Sequence, residues 1–271
     1  MFRISCFADE ISPDINEQVR VMKSLGIKYV EFRSVWDKNA IDLDDNELAK
    51  VKKVFDENGI SVSSIGSPIG KVDIDSDFEE HIGKFNRAIE LAHLFGTNYI
   101  RIFSFYHKDK TLKECREKVM ERLKVLLDIA KREGIILCHE NEADIYGQQS
   151  DECKDILETI NDNNFRAVHD SSNYVIAGEH PFDALKKIHK YIEYVHIKDS
   201  IFGGEIVPAG KGDGQVREVL EFLRYHDGMF TTLEPHLVLA GSMRGFSGEE
   251  LFTIAYRALT DLLKELGIEY C

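Results

Sequence analysis

The sequence of 271 residues lacks several features that would each indicate a particular class of protein. No stretch approaches the roughly 18 consecutive apolar residues that a membrane-spanning helix needs, and the opening Met-Phe-Arg-Ile-Ser does not have the form of a signal peptide. The five cysteines are scattered and form no Cys-x-x-Cys pair, which favours free thiols in a reducing cytoplasm. We therefore predict a cytoplasmic protein without a membrane partner.

Positive charge is also scarce. The chain has 34 basic and 48 acidic residues and a formal net charge of −14, which disfavours nucleic acid and anionic membranes as partners. Hydrophobic residues make up 43% and charged residues 30%, as is typical of a globular protein with a sizeable core. No linker rich in Pro, Gly or Ser divides the chain, so we predict one domain over residues 1–271. The sequence leaves open whether the chain forms a homo-oligomer.

The sequence does contain a repeated local pattern: a helix-like stretch, a glycine, and a short run of β-branched or aromatic residues. It surrounds five glycines: Gly26, Gly59, Gly96, Gly134 and Gly267. A glycine suits the left-handed position that closes a helix, and the run after it is typical of a buried strand. With further strand-like runs, we predict eight strands that start near residues 2, 27, 60, 97, 135, 165, 192 and 229.

The spacing of these strands indicates the fold class. The predicted strands recur about every 32 residues, which is the size of one βα unit. Eight alternating βα units predict an α/β protein with the (β/α)8 TIM-barrel fold. An open, doubly wound sheet of eight strands is the structural alternative.

Four consecutive predicted strands, the fifth to the eighth, end in side chains that can bind a metal ion. These are Glu140, Asp170, His196 and Glu234. Active sites of such barrels form at the C-terminal ends of the strands, so we expect these side chains to meet. Three carboxylates and one imidazole favour Mn²⁺, with Mg²⁺, Co²⁺ and Zn²⁺ as alternatives. Glu142 faces the same way as Glu140 on an extended strand, but Glu140 lies nearer the strand end.

The other half of the predicted rim carries cations. Arg33 follows the second strand, Lys71 follows the third, and Arg101 lies within the fourth. Because a cation inside an apolar strand is costly without a partner, Arg101 requires a carboxylate such as Glu31 or Glu140, or else an oxygen atom of a ligand. We predict that the three cations favour an anionic or strongly polar substrate.

Several short motifs occur in an order and spacing that resemble a known family. They are Glu31-Phe32-Arg33, Ser67-Pro68-Ile69-Gly70-Lys71, His139-Glu140-Asn141-Glu142, Asp170-Ser171-Ser172-Asn173, Val195-His196-Ile197-Lys198-Asp199 and Leu233-Glu234-Pro235. Over essentially the whole chain they resemble the sugar phosphate isomerase/epimerase family of the xylose isomerase-like barrels. The resemblance implies that one divalent metal ion is held by Glu140, Asp170, His196 and Glu234. In the loop 208–214, Lys211 stands where the family has an acid and adds a cation near the seventh strand.

The resemblance also implies an activity. It indicates a metal-dependent isomerase or epimerase of a sugar, keto-sugar or sugar derivative, in which Glu140 and Glu234 also move protons. The metal would stabilise an enediolate while the two carboxylates act as base and acid. The predicted substrate-binding residues are Arg33, Lys71, Arg101, Glu142, Asn173, Lys198 and His236.

Three other functions stay open at this point. A dehydratase of a keto-polyol, a lyase, would use the same metal and proton abstraction but expel a hydroxyl group. An endonuclease IV-like phosphodiesterase needs a histidine-rich zinc cluster on the early strands, which here end in Glu31, Arg33, Ser67 and Arg101. A non-catalytic, metal-bearing binding protein is disfavoured because all four ligand positions are filled.

Overall fold

The computed structural model describes residues 1–240 and 245–271. Within these ranges, eight parallel strands form the central sheet: β1 (Arg3–Cys6), β2 (Tyr29–Phe32), β3 (Ser61–Gly66), β4 (Tyr99–Ile102), β5 (Ile136–Glu140), β6 (Phe165–Asp170), β7 (Ile192–Ile197) and β8 (Phe230–Leu233). The helices described are α1 (Ile15–Leu25), α2 (Asp45–Asn58), α3 (Phe78–Phe95), α4 (Leu112–Arg132), α5 (Ser150–Ile160), α6 (Ser171–Ile176), α7 (Pro181–Ile188), α8 (Val216–Leu223) and α9 (Gly248–Glu265). Every strand starts within two residues of its predicted start.

The eight strands form a nearly closed barrel. Each strand from β2 to β7 pairs with the next strand along the chain, and β8 pairs with β1. On the edge of β1 opposite β8, Phe2 and Ile4 donate backbone hydrogen bonds to the carbonyls of Glu269 and Cys271. The strand-like run after Gly267 therefore forms an isolated parallel β-bridge beside β1, between Tyr270 and Phe2. The predicted barrel is confirmed, and the open doubly wound sheet is wrong.

Capping side chains and glycines set the ends of the helices. Thr111 and Ser247 start α4 and α9 with capping boxes, in which the side chain and the third helical residue satisfy free backbone N–H groups. Gly59 and Gly96 end α2 and α3 in the left-handed conformation that glycine adopts without strain. These are the glycines of the repeated sequence pattern, so local chemistry accounts for where these helices stop.

The alternation of side chains along β2 illustrates how the barrel separates its core from its lumen. Phe32 points outward and contacts Phe55 of α2 and Phe95 of α3, with ring centroids 5.7 and 5.2 Å away. Glu31, one residue earlier, therefore points into the lumen. The apolar core lies between strands and helices, whereas charged groups gather inside the barrel. In the ranges described, no helix combines the length and apolar character needed to cross a membrane.

Candidate metal centre at the C-terminal end of the barrel

Four side chains from neighbouring strands converge inside the C-terminal mouth of the barrel. Glu140 and Asp170 end β5 and β6, His196 lies in β7, and Glu234 directly follows β8. One potential ligand atom of each lies within 4.8 Å of the others, and all four residues are buried. The structure thus brings together the four side chains that the sequence suggested as ligands.

The histidines that precede two of these carboxylates face the opposite way. His139 stacks against Phe165 with ring centroids 6.3 Å apart, and the ring of His169 lies 5.2 Å from that of Tyr174. Burial lowers the pKa of His139 to about 4 and that of His169 to about 3. Both rings are therefore neutral packing groups on the helix side of the sheet.

His196 lies among three carboxylates. Its Nδ1 atom is 3.0 Å from Glu140 Oε1 and 3.1 Å from Glu234 Oε2, and its Nε2 atom is 3.2 Å from Glu31 Oε2. Because ionised carboxylates only accept hydrogen bonds, both ring nitrogens donate and the ring is an imidazolium. Burial lowers the pKa of His196, but the charges of Glu140 and Glu31 outweigh burial and raise it well above its usual value.

The three carboxylates among the proposed metal ligands, Glu140, Asp170 and Glu234, differ in their pKa values. Burial raises the pKa of Glu140, but the charge of His196 outweighs burial and lowers the pKa to about 2. Lys198 and His196 likewise outweigh burial at Glu234 and lower its pKa well below the usual value. At Asp170, burial prevails and raises the pKa to about 6. All three are ionised at neutral pH.

The two arginines that were predicted to bind substrate, Arg33 and Arg101, pair with Glu234 and Glu140. Arg101 Nη1 donates to Glu140 Oε2 at 3.0 Å. Arg33 Nη1 donates to Glu234 Oε1 at 2.7 Å, and its Nε donates to Asp9 Oδ2 at 2.8 Å. Of the two carboxylates considered for Arg101, Glu140 is thus its hydrogen-bonded partner. Each glutamate has one oxygen near the imidazole and the other on an arginine.

Lys71 and Glu142 pair with each other at the rim. Lys71 Nζ lies 2.7 Å from Glu142 Oε2, with the two side chains 33% and 22% exposed. Lys71 also lies 4.4 Å from the centre of the Phe103 ring. Glu142 therefore lies at the rim. Of the two glutamates Glu140 and Glu142, it is Glu140 that joins the buried cluster, as its position at the end of β5 indicated.

Lys198 and Asn173 reach the cluster directly. Lys198 Nζ lies 3.1 Å from Asp170 Oδ2 and 3.8 Å from Glu234 Oε2. The amide of Asn173 lies 3.4 Å from Glu140 Oε1, and its backbone N–H donates to Asp170 Oδ1 at 2.8 Å. Both residues are therefore placed to contact a molecule bound beside these carboxylates.

His236 lies against Glu234 with a partner that sequence reasoning missed. Its Nε2 atom is 3.5 Å from Glu234 Oε1 and 3.4 Å from Glu10 Oε1. Its backbone adopts a left-handed φ of 48°, and its N–H donates to Glu10 Oε2 at 2.7 Å. Burial raises the pKa of Glu10 to about 7. Asp9 and Glu10 lie in the short helical turn Ala8–Glu10 shortly after β1, so applying the strand-end rule to the first strand would have found them.

Lys211 lies away from the cluster. The backbone N–H groups of Gly210, Gly212 and Gly214 donate to the carboxylate of Asp199, at 2.8 to 3.0 Å, and this fixes the loop 208–214. Lys211 itself is exposed and lines a surface cleft beside α9. The expected cation near the seventh strand therefore belongs to the outer surface.

The donor set of the cluster fits a divalent cation. Asp170 Oδ2 and Glu234 Oε2 are buried, and in the described part of the chain they accept no well-aligned hydrogen bond, although Lys198 Nζ and His196 Nδ1, respectively, lie 3.1 Å from them. If His196 gives up its added proton, the carboxylates in and beside the cluster are Glu31, Glu140, Asp170, Glu234 and Asp9, and the permanent cations are Arg33, Arg101 and Lys198. Five negative charges against three positive charges leave a deficit that one divalent ion fills.

The comparison with protein families identifies the chain. Residues 19–267 match the model of the xylose isomerase-like TIM barrel family, and the chain belongs to this family. The resemblance inferred from the motifs is thereby confirmed. Among curated proteins, none matches the sequence.

Solved structures share the fold at low sequence identity. An IOLI protein with a bound zinc atom has a TM-score of 0.81 and 19% identity, with 97% of this chain and 99% of that chain covered. AsbF, a probable 3-DHS dehydratase from Bacillus anthracis, has a TM-score of 0.78 and 17% identity, with 95% and 98% covered. YcjR from E. coli, a 3-keto-D-glucoside 4-epimerase, has a TM-score of 0.73 and 17% identity, with 97% and 98% covered. These similarities establish the common fold.

Proposed function

We propose that this protein is a divalent-metal-dependent isomerase or epimerase of a sugar, keto-sugar or sugar derivative. The observation that carries the proposal is the approach of two ionised glutamates to one buried imidazole. Glu140 and Glu234 lie 3.0 and 3.1 Å from His196 Nδ1. Two findings support an enzyme of this kind. The chain belongs to the xylose isomerase-like TIM barrel family, and the structures similar to it include an epimerase and a probable dehydratase.

The metal would be held by Glu140, Asp170, His196 and Glu234. The oxygen-rich donor set favours Mn²⁺, with Mg²⁺, Co²⁺ and Zn²⁺ as alternatives. When bound, a divalent cation supplies Lewis-acid stabilisation of the negative charge that develops on substrate oxygens. The zinc in the IOLI protein shows that one barrel of this shape binds such an ion.

Glu140 and Glu234 are the proposed proton carriers. Both are ionised at neutral pH because cations lower their pKa values. A carboxylate with so low a pKa is a weak base, so proton abstraction requires that the substrate first draw a cation away from it. Arg101 beside Glu140 and Lys198 beside Glu234 are the cations placed to move to a substrate oxygen.

The remaining polar residues would bind and orient the substrate. Lys198 and Asn173 lie beside the proposed ligands, and His236 lies beside Glu234. Lys71 and Glu142 form the outer wall of the mouth, where a charged end of the substrate would exchange with their ion pair. This arrangement favours a polyol that carries a keto group or an acidic group.

The test is a screen for proton exchange at carbon. Ketoses, sugar acids and their phosphates are incubated with the Mn²⁺-loaded protein in heavy water, and deuterium uptake is followed by mass spectrometry. Uptake with formation of an epimer or isomer supports the proposal. The chelator-treated protein and the Glu234→Gln variant are the controls, and both should be slow.

The same screen separates the main alternative. The fold similarity to a probable 3-DHS dehydratase, with a TM-score of 0.78, favours a keto-polyol dehydratase as the second candidate. That reaction releases water, so its product is lighter than its substrate by one water molecule. A folded, metal-loaded protein that exchanges no carbon-bound proton of any compound in these classes would argue against both candidates.

A further inference from the structure

Behind the proposed ligands, a chain of buried hydrogen bonds connects three strands across the barrel lumen. The Tyr194 hydroxyl donates to Glu31 Oε1 at 3.0 Å and lies 3.2 Å from Ser64 Oγ. The other oxygen of Glu31, Oε2, lies 3.2 Å from His196 Nε2. The side chains of Glu31 and His196 are both 0% exposed. Bulk solvent therefore does not reach this contact.

The placement of these residues follows from the barrel. Tyr194 and His196 are two residues apart in β7, so both side chains point into the lumen. Glu31 comes from β2, three strands away around the barrel. A single carboxylate thus accepts hydrogen bonds from two residues of one strand. Because Glu31 binds Nε2, the Nδ1 atom of His196 is the nitrogen that faces Glu140 and Glu234.

We propose that Glu31 is a positioning residue of the metal centre. It holds the Nε2 proton of His196, so that Nδ1 is the nitrogen available to a divalent cation, and Tyr194 and Ser64 fix the Glu31 carboxylate. A carboxylate that accepts the second N–H of a ligating histidine fixes the ring orientation and makes the ligand more basic. The inference rests on the metal site of the proposed function but not on which sugar reaction it serves.

A second glutamate–tyrosine pair provides a matched control. Tyr99 donates from its hydroxyl to Glu193 Oε1 at 2.6 Å. Glu193 lies near the start of β7, at the opposite end of the strand from His196. Both pairs tie strands of the barrel together, but only Glu31 contacts a proposed ligand. A purely structural role predicts that the two pairs behave alike.

The experiment measures the affinity of the metal-stripped full chain for Mn²⁺ alone, by isothermal titration calorimetry. Loss of an outer partner of a ligand typically weakens metal binding about 10–100-fold, and we expect a loss of this size for Glu31→Gln. Tyr194→Phe should weaken binding in the same direction by a smaller factor. Glu193→Gln and Tyr99→Phe should leave the affinity unchanged. Urea unfolding of each metal-free variant reports its stability separately.

The possible outcomes are distinct. If Glu31→Gln is folded and binds Mn²⁺ as tightly as the wild type, Glu31 is only a structural tie and the inference is wrong. If the folded wild type binds no Mn²⁺, the metal site of the proposed function is wrong and this inference fails with it.

A measurement on the wild type covers the case in which Glu31→Gln does not fold. Nitrogen-15 NMR of the zinc-loaded protein should find the His196 proton on Nε2 and the metal on Nδ1. A proton on Nδ1, or metal on Nε2, would overturn the inference. This spectrum does not depend on enzymatic activity.

Discussion

The two halves of the barrel mouth carry opposite charges and are built in different ways. On the side of β5 to β8, three carboxylates and one imidazole converge, and two of the buried carboxylate oxygens accept no well-aligned hydrogen bond within the described ranges. On the side of β2 to β4, Arg33, Lys71 and Arg101 each have a carboxylate partner. A crowded set of like charges requires a cation, whereas a cation that is already paired holds its partner in place. Without substrate, the acidic half therefore still requires a cation, whereas the arginines hold its two glutamates in place.

Removing two of the four proposed ligands should abolish metal binding by the acidic half. We expect the Glu140→Ala/His196→Ala variant to lose Mn²⁺ binding altogether, because only two of four donors remain and metal affinity depends on all of them together. Metal content per chain after dialysis is the measurement. The Lys71→Ala/Glu142→Ala variant is the matched control from the rim and should keep its metal. Full occupancy in the first variant would exclude this site.

Replacing each glutamate by glutamine separates proton transfer from metal binding. Glutamine keeps the shape and one ligating oxygen but cannot act as a base, so Glu140→Gln and Glu234→Gln should each lower turnover about 10²–10⁴-fold. Metal affinity should fall much less. Turnover with the substrate from the deuterium screen is compared with bound Mn²⁺.

The pattern of exchange sharpens this prediction. In an epimerase, each variant should stop solvent exchange from one of the two epimers, since each carboxylate serves one face of the substrate. A 1,2-isomerase or a dehydratase should have one severely impaired and one milder variant. Normal turnover of both variants with metal bound would rule out either glutamate as the proton carrier.

On the side of β2 to β4, burial should determine how much the free energy of unfolding falls when a cation is removed. Arg101→Met leaves the buried Glu140 without its arginine and should lower the free energy of unfolding by about 3–5 kcal/mol. Lys71→Met removes a partly exposed pair and should cost about 0–1 kcal/mol. Urea unfolding of the metal-free variants measures both values. Equal costs would mean that Arg101 does not support Glu140.

Metal binding should strengthen as the pH rises. In the metal-free protein His196 is protonated, because neighbouring carboxylates raise its pKa well above the usual value. A metal ion binds the neutral ring and displaces one proton, so the affinity should increase by up to about tenfold per pH unit below that pKa. Asp170, with a pKa of about 6, adds to the slope in the same direction at lower pH. Calorimetry in buffers of different ionisation enthalpy counts the released protons; an affinity that falls with rising pH would contradict the imidazolium.

Some features of the site could be predicted because they depend on strand ends alone. In a parallel barrel, all C-terminal strand ends lie at one mouth, so Glu140, Asp170, His196 and Glu234 could be grouped without coordinates. The carboxylate partners of Arg33, Lys71 and Arg101 could not be predicted in this way. Arg101 lies within reach of more than one acidic strand, and its choice of Glu140 depends on the register between β4 and β5.

The order and positions of the eight strands follow from local sequence, because the glycines that end helices and the apolar runs that form strands act over a few neighbouring residues. The contact between Glu31 and His196 depends instead on the tertiary fold, since these residues are 165 positions apart and meet through the lumen. The contact between Glu10 and His236, across 226 positions, depends on it too. Contacts of this kind depend on how the barrel closes and on side-chain geometry inside it, which no local pattern contains.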